Sequence, residues 1–284
     1  MNPNAYRTRA ERGEVQLGTW VTMIRTPAVL TLLRSAGLDF VRVDMEHSSF
    51  SMETVADMAI LARALDFPMV VRPPEGNREW ITRLLDAGVW NLHVPQVDTP
   101  EQAAAVASCC RYAPLGERGM YGFGPHTEYR TLPPAEHMAA ANARVHVTIM
   151  LETKEAFERL DEIASVPGID ALTLGPTDLA QNLGVLGTPK QKPVLDEYRR
   201  RLVEAADDCP RRHDHQLLLR YGGPPLRLCL GGRGDSPDVT LVSAALSFGV
   251  SWLVVYPLGP SVKTAGVTSF LPSPSSSWRS APGG

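Results

Sequence analysis

Short apolar runs alternate with helical patterns along nearly the whole chain, and that alternation leaves few folds open. The runs at 17–23, 40–44, 69–72, 91–94, 146–151 and 171–174 are near-continuous apolar stretches of the kind a parallel strand needs when both its faces are buried. Two weaker runs follow at 216–221 and 252–256. Helical periods lie near 27–36, 51–65, 78–87, 100–110, 154–164, 194–206 and 239–247. Glycines stand where helices should stop, at Gly37, Gly88 and Gly249. Eight strands alternating with helices predict an α/β fold, a (β/α)8 TIM barrel in one domain, and a chain of 284 residues can hold such a barrel of about 250. The barrel is expected over 1–270, and the Ser/Pro-rich residues 271–284 read as a disordered tail. Two segments break the rhythm. Residues 114–134 are too long and too rich in Gly and Pro for a plain connection, which marks a functional loop. Residues 209–238 lose helical and strand period except at 216–221.

Composition narrows the function by exclusion. A net charge of −3 offers no basic field for nucleic acid and no polybasic membrane anchor. No apolar run approaches the roughly 20 residues that span a bilayer, and MNPNAYRTRAERGEV has no apolar segment of a secretory leader. Cys109, Cys110, Cys209 and Cys229 lack metal or redox spacing. Free buried thiols fit a reducing compartment, so a cytoplasmic location is expected. No GxGxxG or P-loop follows a strand, which removes the usual nucleotide fingerprints.

Chemistry collects at the C-terminal ends of the strand runs. Glu152 follows the run at 146–151, and Asp178 follows that at 171–174 inside Gly-Pro-Thr-Asp-Leu. They stand about one βα repeat apart (roughly 30 residues), so neighbouring strands aim two carboxylates at one rim, where they suit a shared hard divalent cation. Each alone would read as a helix cap or surface charge. VRVDMEHSSF crowds Asp44, Glu46 and His47 at another strand end. An imidazole, with its ordinary pKa of ~6.5, is the natural general base near neutrality; the plainer reading is a polar corner with Ser48 or Ser51 capping the next helix. Arg72 ends VVR, where a guanidinium suits an anionic oxygen or a salt bridge to Asp44 or Glu46. Asp86 in LLDAG ends a helix, where a carboxylate opposes the dipole, so something else has to require that charge. Gly175 and Pro176 turn the backbone and expose the amides of Thr177 and Asp178, a nest suited to a carboxylate.

Taken together, VDMEH, VVRPP, LLDAG, RYAPLGERG, LETKEA and LDEIASVPGIDALTLGPTDLAQNLG resemble the HpcH/HpaI aldolase family of metal-dependent class II pyruvate aldolases, of the 4-hydroxy-2-oxoheptanedioate aldolase type. The resemblance covers roughly residues 16–206, in order and with similar spacing. It implies a (β/α)8 barrel assembled as a homo-oligomer, a hexamer, and reversible cleavage of a 2-oxo-4-hydroxy acid to pyruvate and an aldehyde. By the same resemblance Glu152 and Asp178 hold the divalent metal (Mg2+ or Mn2+, with Co2+ also accepted). His47 is then the base, and Arg72 stabilises the enolate. Asp86 reaches the His47 of a neighbouring subunit, and Gly175, Thr177 and Asp178 receive the pyruvate carboxylate.

Two departures stand out. Met150 occupies the place, two residues before the metal Glu, where the best-known branch has a Gln, and Met cannot donate a hydrogen bond. After Ala206 the pattern becomes irregular and the Asp expected after the eighth strand is missing from VVYPLGPSV. Two further readings therefore stand beside the aldolase: a citrate-lyase-like carbon–carbon lyase acting on an acyl-CoA, and a non-catalytic barrel serving binding or assembly. A Schiff-base route would need a strand-end lysine, and Lys154 falls instead at the start of a helix.

Overall fold

The computed structural model describes residues 3–12, 14–208, 217–221 and 252–257. The strands are β1 (Gln16–Val21), β2 (Phe40–Asp44), β3 (Met69–Arg72), β4 (Asn91–Val94), β5 (His146–Leu151), β6 (Ala171–Leu174), β7 (Leu217–Tyr221) and β8 (Trp252–Pro257). The helices are α1 (Ala5–Glu11), α2 (Ala28–Ser35), α3 (Met52–Ala64), α4 (Arg78–Asp86), α5 (Pro100–Cys110), α6 (Pro134–Arg144), α7 (Lys154–Glu158), α8 (Leu160–Ala164), α9 (Pro176–Asn182) and α10 (Gln191–Asp208).

β1 to β6 pair in chain order, all parallel, as a curled sheet wrapped by helices, and β7 adds in parallel to β6. Backbone pairing closes the ring through β8. That last strand corrects the expectation of eight parallel strands, because β8 runs antiparallel to both β7 and β1. Parallel pairing requires a crossover of a dozen residues or more, usually a helix, and the connection from β7 to β8, residues 222–251, lies outside the described residues. The expectations for 209–216, 222–238, the helix at 239–247 and the tail at 271–284 lie outside the described residues.

The alternation of side chains along each strand sorts the molecule into two cores. Val41, Val43, Val71, Leu92, Val94, Val147, Ile149, Leu151, Leu172 and Leu174 point outward into one apolar cluster, packed against helix residues such as Leu30, Met58, Leu84 and Val106. The alternate positions face the interior and are mixed in character. Phe40, Val70 and Ala171 form a small apolar plug with Tyr6 and Ala10 of α1. Arg42, His93 and Thr148 lie above it, all fully buried.

α1 is held across one mouth of the sheet by its cap. The Asn4 side chain accepts from the amides of Tyr6 and Arg7, and its Nδ2 donates to Asn91 at 2.6 Å and to the carbonyl of Arg144 at 2.7 Å. Elsewhere the helix boundaries follow their local chemistry. Ser51 caps α3 by accepting from the Thr54 amide at 3.2 Å, and Thr99 with Gln102 closes a capping box on α5. Gly37 and Gly88 take left-handed φ of 83° and 89° after α2 and α4, the conformation that ends a helix at least cost in glycine. The loop expected over 114–134 is present with one short 3-10 turn, Pro125–Thr127, before α6 begins.

Candidate active site

Register brings the polar strand ends together. Asp44 and Arg72 are direct partners in the β2–β3 pairing, so their side chains leave the sheet on the same side. The Arg72 guanidinium makes a two-pronged contact with Asp44, Nε to Oδ1 at 2.8 Å and Nη2 to Oδ2 at 2.6 Å. Its third nitrogen lies 3.0 Å from Glu46. The salt bridge foreseen for Arg72 is therefore present to both candidates. A fork of this kind fixes the plane of the guanidinium as well as its position. Trp20, at the end of β1, lies beneath it, with Cζ of Arg72 4.7 Å from the ring centroid and the buried Arg42 at 4.9 Å from the same ring.

Opposing effects set the charges here. Burial pushes the Asp44 carboxyl up, but the hydrogen bonds and charge of Arg72, with the amides of His47 and Glu46, pull it below the usual carboxylate range. For Glu46 burial wins, and its pKa is raised despite Arg72 and His47. The His47 side chain is largely exposed, with Nε2 3.8 Å from Glu46.

On the far side, β5 and β6 deliver Glu152 and Asp178. The Gly175 amide donates to the Leu151 carbonyl at 3.1 Å, which continues the β5–β6 pairing and sets Gly175 against Glu152. Glu152 is buried, and its pKa is pushed up to about 7. Burial is the main cause; the Gln96 amide opposes it, and the neighbouring Asp178 carboxylate reinforces it together with Glu46. α9 starts at Pro176, and Gly175 gives it no side-chain cap, so Thr177 and Asp178 belong to a first turn whose amides have no intrahelical acceptor.

These parts line one cleft of roughly 380 Å³, formed by Trp20, Thr22, Asp44, His47, Arg72, Met150, Gly175, Pro176, Thr177 and Asp178. A smaller cavity of about 60 Å³ under α1 is lined by Asn4, Arg63 and Asn91 and by none of the strand-end groups just described. The cleft thus gathers His47, Arg72, Gly175, Thr177 and Asp178, with Glu152 against Gly175. Asp86 is not among its lining residues. It ends α4 and pairs with the buried Arg118 at 2.7 Å, a partner supplied by the 114–134 loop. Lys154 opens α7 in solvent and pairs with Glu158 at 3.2 Å. Sequence reading passed over Trp20, Thr22 and Gln96, although all three stand at strand ends on this same rim.

A divalent cation fits the donor set. Two carboxylates from neighbouring strands crowd one another, and ionising both needs a compensating positive charge. Their oxygen atoms suit a hard ion. Among the described residues no group of three or more His, Cys, Asp or Glu side chains is placed to hold a metal, so the pair would leave most coordination positions to substrate and water.

Known proteins share this arrangement of elements. The HpcH/HpaI aldolase/citrate lyase model matches residues 16–209. A 2-keto-3-deoxy-L-rhamnonate aldolase of Shigella sonnei is 33% identical over 205 residues, covering 71% of this chain and 76% of the relative. The crystal structure of an HpcH/HpaI aldolase from Desulfitobacterium hafniense superposes with a TM-score of 0.72 at 26% identity, over 86% of this chain and 94% of that one. An HpcH/HpaI aldolase/citrate lyase family protein from Burkholderia cenocepacia gives 0.66 at 28% identity, over 76% and 83%. The chain belongs to the HpcH/HpaI aldolase/citrate lyase family, a family of carbon–carbon lyases.

Proposed function

We propose that the protein is a divalent-metal-dependent aldolase on a (β/α)8-type scaffold, cleaving a 2-oxo-4-hydroxy acid reversibly to pyruvate and an aldehyde. One observation carries the reading: Asp178 lines a cleft whose opposite wall is the braced cation Arg72, and the neighbouring strand end sets the buried Glu152 directly behind its Gly175 wall. The named relatives supply a consistent substrate chemistry. A 2-keto-3-deoxy acid has a methylene beside its ketone, which is where an aldol bond is made or broken. All the groups invoked come from β1–β6 and the segments that follow them, so the reading does not depend on β7 or β8.

Cleavage of the C3–C4 bond leaves negative charge on the pyruvate half as an enolate. Mg2+ or Mn2+ held by Glu152 and Asp178 would act as a Lewis acid on that charge when bound. Arg72, locked by Asp44 and Glu46 and laid on Trp20, offers a fixed positive charge from the other side and need not reorganise as the charge develops. The first-turn amides of Thr177 and Asp178 suit the substrate carboxylate. His47, at the open side of the cleft, takes the 4-hydroxyl proton and leaves a carbonyl on the departing aldehyde. Met150 and Trp20 supply an apolar wall in the same cleft. The working unit is a homo-oligomer in which Asp86 assists the His47 of a neighbour. Leu115, Met120, Tyr121, Phe123 and Tyr129, all exposed on the loop that also supplies Arg118 to Asp86, support that arrangement. The setting is cytoplasmic, and among the described residues no helix is long and apolar enough to cross a membrane.

Pyruvate release from generic 2-oxo-4-hydroxy acids tests the assignment, with an aldehyde panel run in the condensation direction. EDTA should abolish turnover, and Mg2+, Mn2+ or Co2+ should restore it. Full activity in a demonstrably metal-free preparation would overturn the metal assignment. Cleavage of acyl-CoA substrates alone would transfer the protein to the citrate-lyase side of its family.

A further inference from the structure

Gln96, directly after β4 and Pro95, has a left-handed backbone with φ of 54°. Glycine adopts that conformation freely and Asn or Asp adopt it with some ease; a long side chain such as Gln does so rarely. Two contacts coincide with this geometry. The Gln96 amide donates to Oε1 of Glu152 at 3.0 Å, and its side-chain Nε2 donates to Oε1 of Glu46 at 3.2 Å. The other oxygen of Glu46 faces Arg72 at 3.0 Å. The next residue ties the strand ends together, because the Val97 amide donates to the carbonyl of Met150 at 3.2 Å. One residue at the end of β4 therefore touches a carboxylate from the β2 end and another from the β5 end.

We propose that Gln96 is the positioning residue of this site. It aims Glu152 at the cation through its backbone and holds Glu46 against Arg72 through its amide, so that the two walls of the cleft keep a fixed separation. The inference rests on the aldolase reading above. A glycine would present the same backbone N–H without strain, so the presence of a long amide side chain at this φ points to work done by the side chain itself. Gln96 acts on the substrate only through Glu152, Glu46 and Arg72 and is not a wall of the cleft.

The two functions separate by substitution in the full-length protein. Gln96→Gly keeps the N–H and removes the side chain; Gln96→Met keeps length and volume and removes the donor. Mn2+ binding is read by calorimetry on the metal-free protein, and pyruvate proton exchange is read on the loaded one. Both variants should bind Mn2+ within about threefold of wild type, since the backbone bond to Glu152 remains. Both should lose kcat for exchange by about tenfold, the order expected from one lost hydrogen bond to a charged group, with KM for pyruvate changing less. Gln96→Glu should be worse than either, because it sets a carboxylate against Glu46. A Gln96→Met protein with wild-type exchange kinetics overturns the inference while leaving the aldolase intact, and so does a tenfold loss of Mn2+ affinity in Gln96→Gly. A wild type that binds no divalent cation overturns the aldolase reading and this inference with it.

Discussion

A Cβ built on Gly175 would lie 2.3 Å from Oε2 of Glu152 and 2.7 Å from its Cγ and Cδ, closer than any real contact. Its φ of −86° suits any residue, so what requires glycine here is the carboxylate next door. Gly175→Ala should drive Glu152 out of its pose while sparing the fold. Divalent-ion affinity should fall by roughly 10–100-fold, the usual cost of disturbing a ligand's support, with a urea midpoint close to wild type. An unchanged Mn2+ isotherm would mean that Glu152 relaxes freely or does not bind the ion. At this scale much of the site was legible in the sequence. Residue types were enough to single out Glu152, Asp178, His47 and Arg72, because carboxylates, an imidazole and a guanidinium are rare at the ends of apolar strands. Which of them touch was not legible. The Arg72–Asp44 fork depends on β2–β3 register, and the contacts of Gln96 depend on a left-handed φ that nothing in VPQV announces.

Strands were easier to read than helices, for a physical reason. β2 to β6 have the boundaries expected from sequence because each is a short, largely apolar run buried on both faces. The segment expected as one helix over 154–164 divides into α7 and α8 at Arg159, whose side chain pairs with Glu101 and Glu162. α1 was missed outright, since AYRTRAE shows only Tyr6 and Ala10 on one face amid charges. That spacing of four is enough, because the helix has only to seal a narrow mouth of the sheet. Tyr6 is fully buried, 5.1 Å from the Phe40 ring and 5.2 Å from that of His146, both edge-on. Tyr6→Ala should cost roughly 3–5 kcal/mol, the range for emptying a buried aromatic site, and calorimetric or urea unfolding would measure it. A loss under about 1 kcal/mol would show that α1 lies on the sheet without stabilising it.

Acid stability and assembly are properties of the whole molecule. His146 is buried with its pKa lowered to about 4, by burial first, with Arg7 and Arg111 adding to it against Asp170; burial likewise pushes His93 down. An unfolded imidazole titrates near 6.5, so below that pH the unfolded chain takes up a proton that the fold refuses. Stability should therefore fall as pH drops from about 6.5 to about 4 and level off below, by about 3 kcal/mol for His146. Glu152 works in the opposite sense when no metal is present, so the comparison is wild type against His146→Phe at saturating Mg2+, where the difference isolates the imidazole. Parallel pH profiles for the two proteins would refute the assignment. Asp86 is where the proposed assembly is tested. α4 returns antiparallel to β3, so its C-terminal end lies at the mouth opposite the strand-end cleft, and Asp86 is there with Arg118 beside the exposed apolar side chains of the 114–134 loop. In the proposed assembly a charge so placed would serve the cleft of another subunit. Asp86→Asn and His47→Ala should each be poorly active alone. Mixed and reassembled, they should recover part of the activity, because some interfaces then pair an intact His47 with an intact Asp86. Had both residues served one chain, mixing would create no chain holding the two, and no recovery would follow. Mixed oligomers that stay inactive would end the interface assignment, and a monomer in sedimentation velocity at micromolar concentration would end it sooner.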